Sequence, residues 1–69
     1  MADTHITVWH DTTSDRHGWI VDLCDGDTTD TLAVCGTERK AEATAAVLRR
    51  LHIQTAEAGR TLLNRMMVI

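Results

Sequence analysis

The chain has no proline, no phenylalanine and no tyrosine, and only one serine (Ser14) and one lysine (Lys40). Each absence narrows what the protein can be. Without proline there is no proline-rich linker or recognition segment. Without Phe and Tyr the stacking platforms of single-stranded nucleic-acid binders are missing, leaving Trp9 and Trp19 for that role. No run approaches the roughly 18 apolar residues that cross a bilayer. The start, MADTHITVWH, carries neither the basic flank nor the apolar core of a secretory leader, so the expectation is a cytoplasmic protein with no membrane partner. Two cysteines, Cys24 and Cys35, are expected to stay as free thiols.

What is present is enough for one small domain spanning residues 1–69. A chain of this size buries only about 60% of its unfolded surface, so its core is thin unless a second surface contributes. The clearest element is a helix over Thr37 to His52, TERKAEATAAVLRRLH. Ala41, Ala45, Leu48 and His52 fall near one line of the wheel, with Thr44, Val47 and Leu51 widening the stripe, and Glu42, Ala46, Arg39, Arg49 and Arg50 opposite. Thr37 is placed to cap its N-terminus, where Glu38 suits the positive end.

A stripe of that width needs an apolar surface to lie on, and the preceding runs supply one. Thr4–His10 alternates, with Ile6 and Val8 on one face and His5, Thr7 and Trp9 on the other. Asp11–Gly18 has no apolar residue and reads as a loop. Trp19–Cys24 is a second strand, Asp25–Asp30 a turn, and Thr31–Cys35 a third strand. Setting Cys24 opposite Thr31 aligns Leu23 with Leu32, Val21 with Val34 and Trp19 with Gly36, all on the helix side. Trp9, Ile20, Ala33 and Cys35 then face outward, an apolar patch to be covered either by the second helix folding over it or by another chain, a second copy of this one included. In the tail, Thr55 caps a second helix lined by Ala56, Gly59, Leu63, Met66 and Met67. The alternatives are one long helix bent near Ile53, or a final strand over Arg65–Ile69. The expected fold is α+β: a three-stranded antiparallel meander, a helix packed on one face, and a second C-terminal helix.

No residue set carries a catalytic signature. Ser14, Asp15 and His17 are nucleophile, acid and base types crowded into one polar loop, whereas a working triad is assembled from a rigid scaffold. His5, His10, His17, Cys24 and Cys35 share no metal-ligand spacing, and Asp22, Asp25, Asp27 and Asp30 lack the closing Glu of a calcium loop. The expectation is therefore no enzyme, no metal and no cofactor.

Charge is distributed unevenly. Residues 1–37 carry seven Asp against Arg16, a net of −6, and residues 38–69 carry three Glu against Lys40 and five Arg, a net of +3. A small acidic chain of this character, with its cluster Asp11, Asp15, Asp22, Asp25, Asp27 and Asp30, resembles the inhibitors that phages make against bacterial defence, anti-CRISPR proteins included. That resemblance implies a non-enzymatic inhibitor. Its carboxylates would occlude a basic, nucleic-acid-binding surface on a larger host protein or complex, with Trp9 as anchor. The strand, strand, strand, helix order also resembles small antitoxin-type and RNA-binding α+β domains. Those would use Arg39, Lys40, Arg49 and Arg50 on the helix instead.

Overall fold

The computed structural model describes residues 4–13 and 18–67. Ser14, Asp15 and His17 of the polar loop lie outside the described residues, as do Val68 and Ile69 at the tail. Three strands, β1 (Thr4–Asp11), β2 (Gly18–Asp25) and β3 (Thr28–Cys35), form an antiparallel meander in the order β1-β2-β3. Two helices follow, α1 (Glu38–Arg50) and α2 (Ala56–Met67). The fold is thus the expected α+β architecture. Its shortest extent is 17 Å, the depth of one sheet under one helical layer. No helix among the described residues is long and apolar enough to cross a membrane.

Helix α1 begins as its sequence predicts, with the Thr37 hydroxyl accepting the Lys40 N–H at 3.2 Å. It presses Ala41, Ala45 and Leu48 onto Ile6, Val21 and Leu23. The small alanines let the helix sit close to the sheet. Its end differs from expectation: helical geometry stops at Arg50, and Leu51 and His52 are exposed rather than part of the buried stripe. The Ile53 N–H donates to the Leu48 carbonyl (3.2 Å) and the His52 N–H to that of Arg49 (3.1 Å). This is a Schellman closure, in which Leu48 and Ile53 both join the core. His52 occupies the left-handed position at φ 52°, where glycine is usual.

Helix α2 is capped by Thr55, whose hydroxyl accepts the Ala58 N–H at 3.1 Å. Residues 65–67 are helical, so no strand begins at Arg65. The glycine inside α2 has a packing reason. A Cβ at Gly59 would lie 2.9 Å from Leu32 Cδ1 and 3.4 Å from Ile53 Cγ2, so the bare backbone lets α2 settle against β3.

The β2–β3 connection overturns the expected register. The loop is only Gly26–Asp27, with Gly26 at φ 62°, so Asp25 pairs with Thr28 and Leu23 with Asp30. A bulge next to Val21/Asp22 then takes up one residue, Leu32. Beyond it Val21 pairs with Ala33, Ile20 with Val34 and Trp19 with Cys35. Leu32 still reaches the core, but the faces of the next residues are exchanged. Ala33 and Cys35 pack on the helix side, while Val34 turns outward at 52% exposure. The thiols are free, as expected, and lie on opposite faces, Cys35 against the core and Cys24 near the Thr7 and Thr29 hydroxyls.

Since a non-glycine residue in the left-handed region costs about 1 kcal/mol, His52→Gly should raise stability in urea unfolding by about that amount, and the β-branched His52→Val should lower it. Equal midpoints for the two variants would show that the closure carries no strain.

Candidate functional site

The helices cover one face of the sheet only. Strand alternation places His5, Thr7 and Trp9 of β1, Ile20, Asp22 and Cys24 of β2, and Thr29, Thr31 and Val34 of β3 on the other. One row across it is Trp9–Ile20–Val34. Ile20 is wholly buried and stands apart from the core beneath the helices, whereas Trp9 is 44% exposed. A half-exposed tryptophan on a sheet uncovered by either helix is the largest apolar side chain the described residues offer to a partner.

The indole is held in place. Its Nε1–H donates to Asp22 Oδ2 at 2.7 Å, from one strand to the next. Asp22 is 5% exposed, and its second oxygen, Oδ1, is shielded from solvent with no hydrogen-bond partner. A short bond to a carboxylate is stronger than one between neutral groups, and the low dielectric around Asp22 strengthens it further.

The acidic residues named from the sequence therefore divide. Asp11 and Asp22 are not surface carboxylates. Both are 5% exposed, Asp11 Oδ1 accepting the Thr13 N–H (2.9 Å) and hydroxyl (2.7 Å) and Asp22 holding Trp9. Strand alternation turns both to the outer face. Asp30 pairs with Leu23, which belongs to the helix side, and is half-buried. Asp25 and Asp27 are exposed at the hairpin end, where Asp25 accepts the Thr4 hydroxyl at 3.2 Å. Asp15 lies outside the described residues.

The basic set divides as well. Arg39, Lys40 and Arg50 are exposed on α1, but the Arg49 guanidinium donates to the Ile6 carbonyl at 2.8 Å, tying the helix to β1. Arg49 thus leaves the candidate nucleic-acid face for a structural duty. A cleft of about 780 Å³ opens between α1, β3 and α2 over Leu32, Ala33, Cys35 and Leu63, with Lys40 and Arg60 also lining it. Among the described residues no three His, Cys, Asp or Glu side chains are grouped to hold a metal ion.

Reasoning from sequence missed Val34 as an outward residue and Asp22 as the partner of Trp9. The sequence held no signal for the first, because the bulge and not the turn exchanges the faces of β3. For the second there was none beyond the shared face of Trp9 and Asp22. Trp9→Phe keeps the ring but leaves the Asp22 carboxylate without its donor, so urea unfolding should show a loss of about 1–3 kcal/mol. An unchanged midpoint would mean the bond contributes nothing net. In comparisons with known proteins, no family model, curated protein or solved structure matches this chain.

Proposed function

We propose that this chain is a non-enzymatic protein-binding inhibitor. It docks through the outer sheet face and occludes a basic, nucleic-acid-binding surface on a larger protein, in the manner of phage-encoded anti-defence proteins such as anti-CRISPRs. The observation that carries this reading is the Trp9–Asp22 hydrogen bond on a face that neither helix covers. An aromatic side chain fixed before binding loses little conformational freedom on docking, and such residues contribute a disproportionate share of interface energy. Exposed Asp25 and Asp27 at the hairpin end would steer a basic partner, because opposed charge raises encounter rate more than affinity.

The test is phage plaquing on bacterial strains with active CRISPR interference of different types, each expressing the chain. Plaquing should rise in at least one type. Trp9→Ala should weaken the responsible complex by roughly 30-fold, the size expected for loss of an anchor. Asp25→Lys with Asp27→Lys should slow its association. No rise in any type would sink the occlusion reading. Light scattering separates a second occupant of the same face: a dimer that Trp9→Asp converts to a folded monomer would assign the face to self-association.

A nucleic-acid reading is supported by a different observation. Arg39 and Arg50 are both exposed and lie on one line of α1, about 16 Å apart at 1.5 Å per residue. On this reading Arg39, Lys40 and Arg50 contact phosphates. Fluorescence anisotropy with short RNA and DNA duplexes should then give affinities that fall steeply with salt, at close to one logarithmic unit per phosphate contact. Absence of binding at low salt would dispose of it.

A further inference from the structure

Buried polar atoms are almost always paired, so the solitary Asp22 Oδ1 calls for a physical reason. Replacing Asp22 by an apolar residue would remove the desolvation cost, yet would also release the indole. The carboxylate does two things at once. It orients Trp9, and it places an oxygen without any donor close to a ring that is 44% exposed.

An aromatic ring attracts cations through the negative potential of its face. An indole whose N–H is bonded to a carboxylate is polarised so that electron density shifts into the ring, and the carboxylate adds its own field through a low-dielectric path. Asp22 therefore makes the Trp9 surface a better seat for a cation than an isolated tryptophan. Among biological cations the guanidinium fits best, because it is planar, stacks on aromatic faces and gives up its hydration more readily than an ammonium.

From these observations we infer that Trp9, oriented and polarised by Asp22, is a binding site for an arginine side chain of the protein partner. The inference rests on the outer sheet face being the docking surface and names the chemistry it recognises. It also accounts for the choice of target, since surfaces that bind nucleic acid are rich in arginine. Trp9 is the residue that touches the ligand; Asp22 acts through it as a positioning residue.

The test uses the chain alone and L-arginine amide as the probe, at constant ionic strength, with the indole N–H resonances followed by NMR. Neutral L-citrulline amide, of nearly the same shape, is the control ligand. Trp19 packs with the core on the helix side and serves as the internal control. The Trp9 resonance should shift saturably with arginine amide and not with citrulline amide, while that of Trp19 stays in place. Asp22→Asn keeps an acceptor for the indole and removes the charge, so it should weaken the arginine response by about fivefold, in line with the strength of cation–π contacts at exposed sites.

An equal response to citrulline amide, or an unaltered affinity in Asp22→Asn, would overturn the inference. A stronger response to tetramethylammonium than to arginine amide would overturn the assignment to arginine. Should Asp22→Asn fail to fold, the comparison of arginine with citrulline on the wild-type chain decides alone. Because no partner takes part, failure here is distinguishable from failure of the docking reading. A Trp9 indifferent to cations, in a chain that still inhibits through Trp9, overturns the arginine site and spares the face.

Discussion

Everything distinctive about this fold depends on the two-residue connection at Gly26–Asp27. Gly26, with φ 62°, reverses the chain so tightly that Asp25 and Thr28 are already paired, which slides β3 two residues along β2 from the match of their apolar residues while leaving the faces of β3 as they were. The bulge at Leu32 then exchanges the faces of the residues beyond it. It keeps Leu32 in the core and hands the helix side to Ala33 and Cys35, both small enough to sit beneath α1 and α2. Gly59 continues the same accommodation from above, its missing side chain making room for Leu32. The turn, the bulge and the helical glycine are thus three parts of one packing solution.

The consequence is a division of labour between the faces. On the helix side, Ile6, Val21, Leu23, Ala41, Ala45, Leu48 and Leu63 form the core. Each large side chain among them contributes about 1.5–3 kcal/mol of burial, so a core this small leaves little reserve. The Schellman closure at His52 brings Ile53 onto this core and starts the chain toward α2 at the cost of a left-handed histidine. On the other side, Trp9 and Val34 stay exposed around a buried Ile20. Among the described residues that face has its own order, marked by the hydrogen bond that holds Trp9 to Asp22.

The charges follow the same division. Asp11 and Asp22 are buried, bonded to Thr13 and to Trp9, and Arg49, though exposed, is tied to the Ile6 carbonyl. Asp25, Asp27, Arg39, Lys40 and Arg50 remain at the surface. Exposed acids stand at the hairpin end (Asp25, Asp27) and on the helices (Glu38, Glu42, Glu57), and exposed bases on both helices.

Local chemistry was sufficient to place the five elements and the caps. Helical periodicity over Ala41–Ala45–Leu48, alternation in β1 and β2, Thr37 and Thr55 as caps, and unpaired cysteines were all legible, because each depends on residues close together along the chain. Which way Val34, Ala33 and Cys35 face was not, since a single bulge inverts a two-residue period and only the partner strand decides where it falls. Of the candidate site, Trp9 was legible as an outward aromatic, and Asp25 and Asp27 as surface acids. The burial of Asp11 and Asp22 was not, and neither was the bond that holds Trp9. The sequence by itself determined the elements, their order and their caps, through interactions spanning a few residues. The tertiary structure alone decided which charges are consumed within the fold and which aromatic is fixed for use, because those outcomes rest on contacts between strands that only the completed register brings together.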